Sequence, residues 1–179
     1  HVPMHDEKYI LTPPAKQIPA IHSPKLFGAT PDNPVLYTIA ATGKIPMTFS
    51  AKGLPDGLHV DGRTGIISGS VKHRGDYVIT VQAKNTLGTD MRKVVIRIGD
   101  TIALTPPIGW NGWNSWEAKI DQAKVIASAN AMVSKGLRDH GWSYINIDDS
   151  WQGIRTGPDT ALQPNAKFPD MRGLVDHIH

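Results

Sequence analysis

The hydrophobic pattern of this chain changes near residue 100, and the change divides the sequence into two regions with different secondary structure. Before it, short apolar runs alternate with polar residues, as at 77–83, and are separated by turns rich in glycine and aspartate. After it, apolar residues recur at helical spacing over about 121–140. A period of two is typical of strands with one buried face, and a period near 3.6 is typical of amphipathic helices. The 179 residues are enough for two domains of different class.

Residues 25–99 predict an all-β domain. Short runs rich in β-branched and aromatic residues lie at 35–40, 47–51, 65–68, 77–83 and 93–98. Each run is bounded by turn signals such as Asp61-Gly62, and several short strands at this spacing favour a β-sandwich. Residues 1–24 contain five prolines and little periodicity, which predicts an extended lead-in.

The order of elements in residues 101–179 predicts parallel strands joined by helices. A helix is expected over 121–140 with Asp121 as its N-cap, and a second helix begins near 171–177. Between them, residues 144–148 form a short apolar run that predicts a buried strand. A strand–helix–strand–helix order is typical of a parallel sheet with crossover helices.

Composition excludes several classes of protein. The chain has 19 Lys and Arg against 16 Asp and Glu, a net charge of +3, and no basic block, which argues against nucleic-acid binding. No apolar run approaches the roughly 20 residues of a membrane helix. Cysteine is absent, which excludes disulfides, cysteine–zinc sites and iron–sulfur clusters. The eight histidines show no metal-ligand spacing, so we expect neither a metal nor another cofactor.

Residues 109–116 place three tryptophans within seven residues, with asparagine and serine between them. Indole faces match the apolar faces of sugar rings, and the indole N–H can donate to a hydroxyl. We therefore expect at least one of Trp110, Trp113 and Trp116 to face a ligand. The alternative is that all three pack in the core.

Two adjacent carboxylates, Asp148 and Asp149, end the strand predicted at 144–148 and precede Trp151. Polar residues at the carboxyl ends of barrel strands point into the active-site mouth, and charged acceptors bind hydroxyl groups strongly. A helix N-cap, a solvated loop pair and a divalent-metal site stay open as alternatives. Neighbouring acids crowd one side of a sugar, so they do not suit the two catalytic carboxyls of a retaining glycosidase, which lie roughly 5–5.5 Å apart on opposite sides of the scissile bond.

Three motifs in this order resemble glycoside hydrolase family 27, the α-galactosidase family. They are LTPPIGWNGW at 104–113, GWSYINIDDSW at 141–151, and FPDM at 168–171 followed by Leu174, Val175 and His179. Residues 24–99, with GLPDGL at 53–58 and TGIISG at 64–69, resemble the immunoglobulin-like domains of bacterial surface proteins. Such domains often precede glycoside hydrolase domains.

The resemblance implies a multi-domain fold, with an immunoglobulin-like β-sandwich over 25–99 and the first βαβα portion of a (β/α)8 TIM barrel over 101–179. It implies a retaining exo-glycosidase that hydrolyses terminal α-galactosyl residues of oligo- or polysaccharides without a metal or cofactor. In the family, the tryptophan matching Trp113 contacts the sugar. The carboxylates matching Asp148 and Asp149 bind the C4 and C6 hydroxyls of galactose.

The catalytic residues are expected outside this sequence. A (β/α)8 barrel has about 250 residues, and residues 101–179 supply 79 of them. We therefore expect the N-terminal part of a longer enzyme, inactive by itself, with the nucleophile and the acid/base beyond His179. The chain departs from many members of the family in one respect, since Ser150 stands where they have a cysteine that is bridged to another near the position of Ala118.

Two alternatives to an α-galactosidase stay open. The same fold could act on β-L-arabinopyranosides, α-N-acetylgalactosaminides or isomaltose units. The immunoglobulin-like half could instead be a non-catalytic module that binds a carbohydrate or a surface partner, although Tyr37, Phe49 and Tyr77 are few aromatic residues for a sugar platform. Because such immunoglobulin-like domains occur in bacterial surface proteins, we expect an exported protein, in the periplasm or at the cell surface.

Overall fold

The computed structural model describes residues 15–179, so most of the lead-in predicted over 1–24 lies outside the described residues. The strands are β1 (Ala20–Ile21), β2 (Leu26–Ala29), β3 (Pro34–Thr38), β4 (Ala41–Thr42), β5 (Thr48–Lys52), β6 (Leu58–Val60), β7 (Ile66–Ser70), β8 (Gly75–Asn85), β9 (Gly88–Ile98), β10 (Gly109–Asn111), β11 (Tyr144–Asn146), β12 (Gln152–Thr156) and β13 (Ala161–Pro164). The helices are α1 (Trp113–Trp116), α2 (Gln122–Ser134) and α3 (Met171–Ile178), with 3-10 turns at Glu117–Lys119 and Arg138–His140.

The first half of the described chain is a sandwich of two sheets. One sheet has the strand order β2-β9-β8-β5 and the other has the order β3-β7-β6. The pairs are antiparallel except for β2 and β9, which run parallel. Inward-facing side chains of both sheets form one core that includes Val35, Ile67, Ile79, Val81, Val94 and Ile96. The β-sandwich predicted from the strand spacing is therefore confirmed.

Strand β8 shows how the sequence pattern produces this core. Ile79, Val81 and Ala83 are fully buried, while Val78 between two inward positions is exposed. At the end of the strand, the side-chain oxygen of Asn85 accepts hydrogen bonds from the backbone N–H groups of the next turn, at 2.9 and 3.1 Å. The turn reverses the chain into β9, so that one continuous hairpin provides the two longest strands of the sandwich.

The last residues of the predicted lead-in belong to the sandwich. Strand β1 pairs with β4, and Ile21 is only 2% exposed. The carbonyl of Ser23 accepts a hydrogen bond from the guanidinium of Arg92 at 2.6 Å, and the carbonyl of Pro24 accepts one from the Tyr37 hydroxyl at 2.7 Å. The sandwich therefore begins earlier than the residue 25 predicted, because prolines keep this segment extended without preventing Ile21 from packing in the core.

The second half places β10 and β11 side by side as parallel strands, with α2 in the connection between them. Parallel pairing, predicted from the alternation of strands and helices, is confirmed. A second core joins these strands to α2 and α3, and its buried residues are Ile120, Val125, Phe168 and Leu174. This order of elements is the one with which the predicted (β/α)8 barrel would begin.

Helix α2 begins as predicted but ends early. The Asp121 carboxylate accepts a hydrogen bond from the backbone N–H of Lys124 at 2.9 Å, which confirms Asp121 as the N-cap. The helix ends at Ser134 rather than near residue 140, because Gly136 has a φ of +75° and the left-handed conformation stops a helix. The chain continues as the 3-10 turn Arg138–His140.

The segment between β11 and α3 carries no strand signal in the sequence, but the structure forms two strands there. Strands β12 and β13 form an antiparallel hairpin with an irregularity in register between Gln152 and Arg155. The hairpin has no alternating apolar face, and Ile154 is exposed. Period-two patterning could not reveal these strands because neither face is buried in the described chain.

The sandwich contacts the second half near the amino-terminal ends of β10 and β11. The imidazole rings of His22 and His140 stack with their centroids 5.7 Å apart, and Leu104 packs over Gly28. Partial desolvation at this contact, helped by the charge of His140, lowers the pKa of His22. His140 precedes β11, whereas Asp148 follows it, so the sandwich lies at the end of β11 away from the acid pair.

Candidate functional site

The candidate site lies where β10 and β11 end. The strands pair in register from Gly109 with Tyr144 to Asn111 with Asn146, so their carboxyl ends meet at one edge. Asp148 follows β11 by two residues, and its neighbour Asp149 continues the same turn. Both carboxylates are exposed. The apolar run before them forms β11, so both acids lie beyond its carboxyl end. We call the edge where β10 and β11 end the rim, and it is the position predicted for a barrel active site.

Asn111 connects the two strand ends. Its Nδ2 donates a hydrogen bond to Oδ2 of Asp148 at 3.0 Å. Its Oδ1 accepts the backbone N–H of Trp113 at 2.9 Å, at the start of α1. One side chain therefore bridges two of the residues predicted to bind sugar, Trp113 and Asp148.

Asp149 is held by its own turn. Its Oδ1 accepts the backbone N–H of Ser150 at 2.6 Å, and Ser150 has a φ of 69°, in the left-handed region. This conformation costs a non-glycine residue of order 1–3 kcal/mol and persists where its surroundings enforce it. Asn165 supplies such a contact, since its Nδ2 donates to the carbonyl of Ser150 at 2.9 Å. The turn after the acid pair is therefore fixed from the far end of the hairpin.

The structure separates the three tryptophans of residues 109–116. Trp110 packs against the second core, in agreement with the core alternative. Trp116 is exposed, and the Lys124 ammonium lies 5.5 Å from the centroid of its ring. Trp113 is 39% exposed at the start of α1, beside the side chain that reaches Asp148. Of the three, Trp113 is the one whose backbone is tied to the acid pair.

Other kinds of site find no support in the part of the chain that the structure describes. Within residues 15–179 no group of three or more histidine, aspartate or glutamate side chains could hold a metal ion. None of the helices in that range combines the length and hydropathy needed to cross a membrane. A cavity of about 360 Å³ between the sandwich and the second half is lined by Tyr37, Arg138 and Tyr144 among others, and not by the predicted sugar-binding residues.

The sequence points to the acids and the indole as candidate sugar-binding residues, but not to the residues that hold them. Asn111 and Asn165 were not singled out, and the left-handed Ser150 leaves no compositional signal. A polar residue with a long-range partner is invisible to periodicity, which reports only burial. The signal for Asn111 was its place, at the end of a strand and two residues before a candidate ligand-binding tryptophan.

Comparison with known families agrees with both resemblances drawn from the motifs. Residues 18–99 match the family model described as "Putative Ig domain", and residues 105–179 match the model described as "Alpha galactosidase A". The two matches follow one another in the order predicted. They cover almost all of the described chain between them.

Two crystal structures from Bacteroides fragilis are similar over both halves. One, of "a putative alpha-galactosidase", is 44% identical with a TM-score of 0.83. The match covers 92% of this chain and 36% of that chain. The other, of "a putative alpha-galactosidase/melibiase", is 40% identical with a TM-score of 0.84 and the same coverage. Because the likeness extends over both halves, the placement of the sandwich against the barrel strands is shared with these structures.

A curated relative is similar over about half of the chain. "Probable alpha-galactosidase B" of Neosartorya fischeri is 43% identical over 90 residues, which are 48% of this chain and 20% of that protein. The chain therefore spans about a fifth of the length of this relative.

Proposed function

Because the chain consists of an immunoglobulin-like domain followed by the start of an α-galactosidase domain of glycoside hydrolase family 27, we propose that it is the N-terminal part of a retaining exo-glycosidase. The proposed enzyme hydrolyses terminal α-galactosyl residues of oligo- or polysaccharides. Within it, Trp113, Asp148 and Asp149 form part of the galactose subsite. The observation that carries the proposal is the acid pair at the carboxyl end of β11, joined through Asn111 to Trp113.

The chemistry of these residues suits a galactosyl group. Galactose differs from glucose by its axial O4, so an enzyme that selects galactose needs a strong acceptor at that position. Asp148 and Asp149 are adjacent carboxylates on one turn, and each can accept a hydrogen bond from a neighbouring hydroxyl of one ring. The indole of Trp113 supplies an apolar face for the C–H groups of the same ring.

In this proposal, residues 101–179 bind and orient the sugar and do not perform the bond cleavage. A retaining glycosidase forms a glycosyl-enzyme intermediate on one carboxylate while a second acts as acid and then as base. Those two groups are expected on barrel strands other than β10 and β11. The chain by itself is expected to lack hydrolase activity.

The test is the replacement Asp149→Ala in a protein that carries a complete barrel with this chain as its N-terminal part. Loss of a charged hydrogen bond to the sugar is expected to lower kcat/KM on an aryl α-galactoside at least about 10-fold. Asp176→Ala is a matched control, because Asp176 is an exposed carboxylate in the last turn of α3, where Ile178 lines a cavity with Tyr144 at the amino-terminal end of β11. Unchanged KM and kcat in the Asp149 variant would refute the site assignment.

A second measurement on the same protein distinguishes between the sugars on which this fold could act. β-L-Arabinopyranose shares the ring stereochemistry of galactose but lacks C6, so a carboxylate that binds O6 loses its partner with that sugar. The proposal predicts a clearly higher kcat/KM on the aryl α-galactoside than on the aryl β-L-arabinopyranoside. The reverse order would contradict it. Aryl α-N-acetylgalactosaminide is the third substrate of the same series.

We propose a structural role for the immunoglobulin-like domain rather than a sugar-binding one. Its aromatic residues within the described range, Phe27, Tyr37, Phe49 and Tyr77, are all buried or half-buried and pack in or against the core of the sandwich. Glycan-array binding by residues 20–99 alone would contradict this role. Export to the periplasm or the cell surface stays a prediction, which fractionation of the source cells tests.

A further inference from the structure

The side chain of Asn111 occupies a position between the two kinds of group proposed to bind sugar. Its amide nitrogen donates to a carboxylate oxygen of Asp148 at 3.0 Å, and its amide oxygen accepts the backbone N–H of Trp113 at 2.9 Å. The first contact crosses from β10 to the segment after β11. The second contact is local and lies at the start of α1.

The partners fix the orientation of this amide. A carboxylate offers only acceptors, and a backbone N–H offers only a donor. Rotating the amide by 180° would place oxygen against oxygen at Asp148 and donor against donor at Trp113. Asn111 is therefore held in one orientation by two contacts that no other arrangement of the amide satisfies.

The strand that carries Asn111 is itself anchored. Asn146 is its register partner on β11, and Nδ2 of Asn146 donates to the carbonyl of Trp110 at 3.1 Å. The backbone of β10 is thus tied to β11 directly before Asn111. As a result, the backbone from which the Asn111 side chain reaches Asp148 is held in place.

We propose that Asn111 is a positioning residue that orients the Asp148 carboxylate and the start of α1 relative to each other before the sugar binds. This inference rests on the proposed function of the site. One oxygen of Asp148 is occupied by Asn111, which directs the other toward an incoming hydroxyl. A carboxylate that is oriented in advance loses less conformational freedom on binding than a mobile one, so the sugar binds more tightly.

The two acids are therefore unequal in how they are held. Asp148 depends on a side chain from the neighbouring strand, whereas Asp149 accepts the backbone N–H of Ser150 within its own turn. Changes at Asn111 act through Asp148 and leave the turn of Asp149 in place. This asymmetry separates positioning by Asn111 from a general loosening of the rim.

The experiment uses Asn111→Ala and Asn111→Asp in a protein that carries a complete barrel with this chain at its N-terminus. Loss of the charged hydrogen bond in N111A is expected to raise KM for an aryl α-galactoside and to lower kcat/KM about 10-fold. Asn130→Ala is the matched control, because Asn130 is an exposed asparagine on α2 that also has one side-chain hydrogen bond, to His177. The control is expected to keep the kcat/KM of the unmodified protein.

N111D provides a measurement, the pH dependence of kcat/KM, that would not change if Asn111 had only a structural role. It places a second carboxylate against Asp148, so that a proton shared between the two restores a donor only at lower pH. The ratio of N111D to unmodified kcat/KM should therefore rise by several-fold as pH falls from 7 to 5. N111D is nearly isosteric with the native residue, so it decides the matter even if N111A fails to fold.

The outcomes for the positioning role and for the proposed function are distinct. If the unmodified protein does not hydrolyse aryl α-galactosides, the proposed function fails. If the unmodified protein is active but N111A matches N130A, or if the N111D ratio is independent of pH, the positioning role is overturned and the function stands.

Discussion

Replacing Val81 by threonine is expected to destabilise the sandwich, while the same replacement at Val78 leaves its stability almost unchanged. Both lie on β8, which is bonded on one side to β5 and on the other to β9. Val81 is 0% exposed and Val78 is 61% exposed. Threonine keeps the branched shape and replaces one methyl group by a hydroxyl. At Val81 the backbone groups are engaged by the strands of Ala51 and Arg92, so the buried hydroxyl lacks a partner and costs about 1–3 kcal/mol.

For a domain of 60–100 residues, 1 kcal/mol corresponds to a change in Tm of about 4–8 °C, so V81T should lower Tm by about 4–24 °C. V78T should stay within about 0.5 kcal/mol of the unmodified chain. Far-UV circular dichroism of the whole chain follows the sandwich. Tryptophan fluorescence follows the second half separately, because all five tryptophans lie in residues 110–151. Equal shifts in Tm for the two variants would refute the alternation of buried and exposed positions along β8.

Three further predictions concern capping and pH. Asp121→Ala should lower the free energy of unfolding of the second half by about 1 kcal/mol, because the Lys124 N–H loses its cap; an unchanged urea midpoint by tryptophan fluorescence would contradict this. The hydrogen bond from the Lys124 side chain lowers the pKa of Asp121 in the folded chain. The Asp121 carboxylate therefore contributes its full stability above about pH 3.9, the unfolded pKa, and loses it as pH falls through the lower folded pKa. D121N should not show this loss of stability in acid. Desolvation and the charge of His140 lower the pKa of His22, so the stability that it contributes above about pH 6.5 should decline as pH falls; His22→Gln should flatten Tm between pH 8 and 5.

The parts of the fold that the sequence predicted are those governed by burial or by local hydrogen bonds. Ile79 and Val81 alternate with polar or exposed positions because one face of β8 is in the core, and this period is visible in the sequence. Asp121 caps α2 as predicted, and Asp170 caps α3 in the same way, each through the N–H group three residues later. Such a cap requires only a short-range spacing and an aspartate, so it can be inferred without knowledge of the fold.

The parts that escaped prediction depend on contacts between distant residues or on backbone conformation. The end of α2 at Ser134 was missed because the apolar stripe continues to Leu137, although Gly136 adopts a left-handed conformation before it. Val133 lies at the helical spacing of this stripe but is 58% exposed in the described chain. Strands with no buried face, such as β12, carry no period to detect. The bridge from Asn111 to Asp148 spans 37 positions, beyond the range of any spacing rule.

The sandwich and the acid pair lie at opposite ends of β11, so we expect them to have separate roles. His140 stacks on His22 before the strand begins, and Asp148 lies after it ends, so the strand itself separates the domain contact from the rim. The contacts that hold the rim come from Asn111 and Asn165, both within the second half. A change in the sandwich can therefore alter the stability of the proposed enzyme without moving a sugar-binding group. It follows that differences in sugar preference among such proteins should trace to the barrel domain, of which the segment from β10 to β13 is the start, and not to the immunoglobulin-like domain.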